Sequence, residues 1–135
     1  MKVEKGESKI THGDVLVVDD DITFCELLKK WCETTNLFRK VLIANDYSRA
    51  STLLRNQKFS LILLDHNLPK KSGHELVKEI NDNPANYATN VCYMSAQLER
   101  DTLVKVIESG VKHFLVKPFD EPAFRSKVDK IILQK

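Results

Sequence analysis

Val15-Leu16-Val17-Val18-Asp19-Asp20-Asp21 is an unbroken apolar run that ends in three carboxylates. Four residues are too few for a helix and too uniformly apolar for a strand with one wet face. The run therefore reads as a strand buried on both faces, as in a parallel sheet. Val41-Leu42-Ile43-Ala44, Leu61-Ile62-Leu63-Leu64, Val91-Cys92-Tyr93-Met94 and His113-Phe114-Leu115-Val116 repeat the pattern. Helix-length amphipathic stretches separate these runs. The first, from about Thr23 to Thr34, offers Phe24, Leu27, Leu28 and Trp31 as its stripe. Later ones offer Ala50, Leu53 and Leu54, then Leu76, Val77 and Ile80, then Leu103, Val104 and Ile107. The last presents Phe124, Val128, Ile131 and Ile132 at helical spacing. Stop signals follow in the right places, with turn residues at Asn81-Asp82-Asn83-Pro84 and a glycine at Gly110. Strict alternation with right-handed crossovers predicts an α/β fold, a doubly wound five-stranded parallel sheet.

A chain of 135 residues suits one domain with a proper core. We expect residues 1–13 to be a flexible N-terminal leader and 14–135 the domain. The 21 basic and 19 acidic residues nearly balance, which gives no reason to expect nucleic acid or a membrane surface as partner. No apolar stretch approaches transmembrane length, and the polar N-terminus is unlike a signal peptide. Cys25, Cys32 and Cys92 are odd in number, lack metal-ligand spacing and sit inside apolar patterns. They read as buried reduced thiols of a cytoplasmic protein.

The chemistry gathers at the strand ends. Asp19 and Asp20 follow the first strand, Asp65 the third, Ser95 the fourth and Lys117-Pro118 the fifth. In an open parallel sheet, ligands bind in the crevice at the carboxyl ends of the strands. Three carboxylates brought together there repel unless a cation neutralises them. Mg²⁺ favours such all-oxygen ligation. Lys117 adds a compact positive charge, and Ser95 offers a hydroxyl to an anionic oxygen. The set suits phosphoryl transfer, with a carboxylate able to serve as nucleophile and form an aspartyl phosphate. No Gly-rich phosphate loop accompanies it, which argues against a nucleotide. Bland roles compete: Asp21 reads as a helix N-cap, Ser95 alone as a loop residue and Phe114 as plain core. His66 is expected at the pocket rim; His12, His74 and His113 read as ordinary loop or surface residues.

At these residues the chain resembles the receiver domains of two-component response regulators. Four motifs carry the resemblance from Asp14 to Lys135: Val-Val-Asp-Asp, Leu-Asp-x-Asn-Leu-Pro with Gly73 following, Met-Ser-Ala, and Val-Lys-Pro-Phe. It implies a flavodoxin-like (βα)5 fold with strand order 2-1-3-4-5. Asp65 would be the phospho-acceptor. Mg²⁺ would sit on Asp20, on Asp19 mainly through water, on Asp65 and on the Asn67 backbone carbonyl. Ser95 and Lys117 would close on the phosphoryl group, with a cis bond between Lys117 and Pro118. Phe114 would be the aromatic switch, moving inward as Ser95 moves, though it lacks the hydroxyl of the tyrosine common there. Asn67 and Gln97 would tune the rate of dephosphorylation.

The function so implied is a phosphorylation-dependent signalling switch. A sensor histidine kinase or phosphotransfer protein would supply the phosphoryl group. A surface of the fourth helix, fifth strand and fifth helix, about Leu98 to Leu133, would carry the signal to a downstream protein. The chain would act on itself only, with slow autodephosphorylation, as a monomer or weak homodimer. Two rivals stand beside this reading. One is a degenerate receiver serving as a phosphorylation-independent interaction module. The other is a haloacid-dehalogenase-like phosphatase, which places its nucleophile after the first strand and its acidic pair last, the reverse of the order here.

Overall fold

Strand and helix alternate through the computed structural model, which describes residues 11–97 and 99–133. The elements are β1 (Val15–Val18), α1 (Ile22–Thr34), β2 (Val41–Ala44), α2 (Tyr47–Asn56), β3 (Leu61–Asp65), α3 (Gly73–Asn81), β4 (Asn90–Ser95), α4 (Arg100–Glu108), β5 (His113–Val116) and α5 (Glu121–Leu133). The strands form one parallel sheet in the order β2-β1-β3-β4-β5, the flavodoxin-like arrangement. Val18 stands level with Ala44 on one side and Leu64 on the other. Asp19 and Asp65, each one residue further on, therefore emerge side by side.

Because side chains alternate along a strand, each strand feeds two cores. Leu16, Val18, Ile62, Leu64 and Tyr93 pack under α2, α3 and α4 with Leu54, Leu76, Ile80 and Val106. Val15, Val17, Leu63, Cys92 and Met94 pack under α1 and α5 with Leu28, Phe124 and Val128. Two helix stripes differ from the sequence reading. In α1 the buried residues are Cys25, Leu28 and Cys32, with Phe24 and Trp31 half-buried at the margin and Leu27 exposed. In α4 only Val106 is buried, while Val104 and Ile107 face outward. Both stripes have helical spacing. The rotation of each helix on the sheet chooses between them, and that is a tertiary effect.

Helix starts follow local chemistry. Asp21 caps α1 by accepting from the Phe24 amide, and Asp46 caps α2 by accepting from Arg49. Ser72 and Glu75 form a reciprocal capping box at α3. Gly110, at φ 97°, turns the chain after α4 in the left-handed region that a glycine adopts without strain. All three cysteines are buried and unpaired. Burial pushes the Cys25, Cys32 and Cys92 thiols up to about 12.

Two polar latches close the opposite end of the sheet. Buried Asp14 accepts both guanidinium hydrogen bonds of Arg39, at 3.0 and 2.9 Å, and one from Gln57. Fully buried Asn86 accepts from the Phe59 amide and donates to the Leu54 and Gln57 carbonyls. Residues 1–10 of the expected leader lie outside the described residues. Thr11 and His12 donate their amides to the Leu37 carbonyl, so this part of 1–13 is tied to the chain before β2. No helix among the described residues is long and apolar enough to cross a membrane.

Candidate functional site

Asp19 leaves β1 and Asp65 ends β3 on the α1–α5 side of the sheet, and both are buried. Asp20 follows at the surface. One carboxylate oxygen from each of the three lies within 4.8 Å of the others. Asp19 and Asp65 are held alike. Each offers one oxygen to the backbone amide two residues ahead, Asp21 at 2.9 Å and Asn67 at 3.0 Å. Each offers its other oxygen to the Lys117 ammonium, at 2.7 and 2.8 Å. Burial raises the Asp65 carboxyl above its usual range, with Asp19 adding to the effect and Lys117 and Asn67 opposing it. Burial alone would lower Lys117, but its hydrogen bonds to Asp19 and Asp65 outweigh that and raise it. Lys117 is thus fixed as a cation between two anions. The Phe24 ring, 4.5 Å from its nitrogen, covers it from the α1 side.

The remaining expected residues surround this group. Buried Ser95 ends β4, its hydroxyl donating to the Gln97 carbonyl at 3.0 Å and accepting from the Gln97 amide. Its own carbonyl accepts from the Lys117 amide, which ties the ends of β4 and β5. The bond between Lys117 and Pro118 is cis. Asn67 and Gln97 are exposed at the mouth, and Phe114 lies half-buried on the other face of the sheet, edge-on to Tyr93. Gly73 sits so near β3 that a Cβ there would fall 2.4 Å from the Asp65 carbonyl oxygen. A cleft of about 800 Å³ begins at Asp20 and is lined by Asn45, Tyr47, Pro69 and Lys70 among others.

This geometry can hold a small hard cation. The donors are carboxylate oxygens from three directions, two of them already desolvated, which fits Mg²⁺. The sequence profile described as response regulator receiver domain matches residues 15–129. The chain belongs to that family. Transcriptional regulatory protein MalR of Bacillus subtilis is 34% identical over 113 residues, 84% of this chain and 47% of that protein. Chemotaxis protein CheY of Pseudomonas aeruginosa is 26% identical over 117 residues, 87% of this chain and 94% of that protein. A CheY-like receiver domain protein from Methanospirillum hungatei superposes with TM-score 0.84 at 20% identity, over 92% of this chain and 96% of that one. The receiver spans about half the length of MalR. Receiver domains are signalling proteins that work with histidine kinases or phosphotransfer proteins and with downstream targets.

Several residues of this receiver's site were not picked out from sequence. Asn45 follows β2 as Asp19 follows β1, and its side chain donates to the Asp19 carbonyl at 2.8 Å. Cys25 donates to the same oxygen at 3.3 Å. The strand-end rule would have found Asn45; no local signal marks Cys25 or Phe24. His66 differs from the sequence expectation. Successive strand residues point to opposite faces, so its ring lies across the sheet from the Asp65 carboxylate and bonds the Tyr93 hydroxyl at 2.6 Å.

Proposed function

We propose that this receiver is a phosphorylation switch whose acceptor is Asp65. The observation that carries the reading is the Lys117 ammonium held between Asp19 and Asp65 across strand ends far apart in sequence. A carboxylate so placed is desolvated, oriented by the Asn67 amide, and backed by a fixed positive charge. Asp19, Asp20, Asp65 and the Asn67 carbonyl would hold Mg²⁺, which when bound neutralises charge on the incoming phosphoryl oxygens. An Asp65 oxygen attacks phosphorus of a phosphohistidine on a sensor histidine kinase or phosphotransfer protein. The O–P bond forms as the P–N bond breaks, the electron pair of that bond staying on the departing nitrogen of an imidazole whose other ring nitrogen already carries the proton. Lys117 then takes a phosphoryl oxygen, and Ser95 exchanges its Gln97 contact for another. New contacts of this kind bias a two-state element.

The readout we assign is the surface of α4, β5 and α5, where Val104, Ile107, Val116 and Leu133 stand exposed. Leu98, the start of the stretch expected from sequence, lies outside the described residues. A downstream protein meets this surface, the chain acting as monomer or weak homodimer in the cytoplasm. Asn67 and Gln97, at the mouth, set the rate at which water reaches the phosphoryl group in slow self-hydrolysis. The interaction-module reading ranks second, because such a module has no need of the intact ion-paired acid group.

The test is incubation with Mg²⁺ and acetyl phosphate, then intact mass beside an Asp65→Asn control. One phosphoryl increment on the wild type, absent from the control, is the expected result. No increment on either, with no rise in melting temperature on adding millimolar Mg²⁺, would overturn the reading in favour of the interaction module.

A further inference from the structure

Tyr93 lies in the middle of β4, fully buried, and it bridges two strands. In register it stands opposite Leu64 of β3 and Phe114 of β5. Its hydroxyl shares a hydrogen bond of 2.6 Å with His66 Nδ1, the two rings 5.7 Å apart and tilted by 55°. Its ring meets Phe114 edge-on at 6.4 Å and 62°. Side chains on one face of neighbouring strands support each other in this way. His66 is itself clamped: its amide donates to the Met94 carbonyl and its carbonyl accepts from Gly73, both at 2.8 Å. A buried phenol needs a partner, and here that partner is the residue directly after Asp65.

We propose that His66 is a positioning residue acting through Tyr93. Its bond to the phenol fixes the ring on which Phe114 packs, and so ties the chain leaving Asp65 to the strand that delivers Lys117. The link runs on the α2–α3–α4 face, opposite the acidic group, and is separate from the Ser95 and Lys117 contacts. Displacement of residues 65 and 66 when Asp65 gains a bulky dianion passes through Tyr93 to Phe114. That second step rests on the acceptor reading above; the packing of Phe114 against a fixed Tyr93 does not.

The experiment uses the full chain with 4-fluorophenylalanine introduced at position 114 alone, so that Tyr93→Phe carries no label of its own. ¹⁹F spectra are recorded for wild type, His66→Leu, Tyr93→Phe, the double variant and His66→Asn, before and after saturation with Mg²⁺ and acetyl phosphate. Tyr93→Phe removes the hydroxyl and keeps the ring, so it tests the bond even where leucine at 66 unfolds the chain. Asparagine places an amide near the position of Nδ1 and can restore the bond. Without phosphodonor, His66→Leu and Tyr93→Phe should move the Phe114 resonance alike and His66→Asn should not. At full phosphorylation its displacement should fall by about half or more in both, no further in the double variant, and recover in His66→Asn. A Phe114 resonance unmoved by His66→Leu and Tyr93→Phe in either state overturns the proposal, as does an asparagine variant that behaves like leucine. If wild type gains no phosphoryl mass, the acceptor reading has failed, and the unphosphorylated spectra still judge the pair.

Discussion

Replacing Lys117 with methionine keeps the stem over Phe24 and removes the one charge that Asp19 and Asp65 share. Two hydrogen bonds of 2.7 and 2.8 Å disappear. The oxygens left behind, within 4.8 Å of each other, lose their counter-ion. Two unit charges at that separation repel by about 3.5 kcal/mol at an effective dielectric constant of about 20. Stripping one partner from a buried ion pair costs about 3–5 kcal/mol, and the Lys117 side chain is 22% exposed, which favours the lower end. We therefore expect Lys117→Met to lose about 3 kcal/mol in EDTA, a shift of about 1–3 M in the urea midpoint. Mg²⁺ and the ammonium compete for the same oxygens, so added Mg²⁺ should stabilise the variant more than the wild type. The pH dependence has a definite sign. Asp65 is raised in the folded state, so its ionisation weakens the fold above that raised value, and falling pH relieves the strain by protonation. The gap between variant and wild type should close in acid. Lys117, raised from 10.5, contributes stability that is present below that value and lost as pH rises through its folded value. A variant within about 0.5 kcal/mol of wild type in EDTA, or one that gains no more from Mg²⁺, would refute the account, since surface substitutions alone reach that size.

Asp65→Asn removes the carboxylate that burial disfavours, so at neutral pH in EDTA it should be at least as stable as wild type while gaining less from Mg²⁺; urea melts with and without Mg²⁺ decide. Asp14→Asn should cost about 1.5–3 kcal/mol at neutral pH through its charged bonds to Arg39. Burial pushes Asp14 up, but Gln57 and Arg39 together carry it below 3.8; its stability is present above 3.8 and lost as pH falls through the folded value, so equilibrium melts of variant and wild type should converge in strong acid. Asn86→Ala strips the Phe59 amide and the Gln57 carbonyl of their Asn86 partner, while the Leu54 carbonyl keeps Asn83, and should cost about 2–3 kcal/mol by urea titration; a loss within the noise of a surface mutation would contradict the latch. Gly73→Ala pushes a methyl to 2.4 Å from the Asp65 carbonyl oxygen, and about 1–3 kcal/mol of lost stability is expected by thermal melting.

The site was legible because its members end strands. A buried parallel strand is conspicuous in sequence, and its last residue is a position anyone can count to. The rest depended on distance. Nothing near Asn86 says that its amide will satisfy groups at Leu54, Gln57 and Phe59, since those contacts exist only once α2 has packed. The α4 stripe was misread for a related cause: Leu103, Val104 and Ile107 form as good a local face as the one Val106 occupies, and the sheet beneath selected the latter. In α1, Cys25 and Cys32 are buried as their apolar setting predicts, and they fill the inward face on which the expected stripe had placed Leu27. His66 shows the limit most clearly. Its neighbour Asp65 drew it toward the pocket on paper, while strand alternation sends its ring to Tyr93 across the sheet.

The shared register of β1, β2 and β3 carries an evolutionary consequence. With Val18 level with both Ala44 and Leu64, one residue deleted from β3 would turn Asp65 toward α3 and put His66 in its place. Strand length is therefore frozen, rung by rung, by the charge cluster at its end. The loops that enter the strands from below bear no such restriction, nor do the outward faces of α4 and α5. A lineage can thus redraft whom this protein addresses, one exposed side chain at a time, while its chemistry is kept by arithmetic.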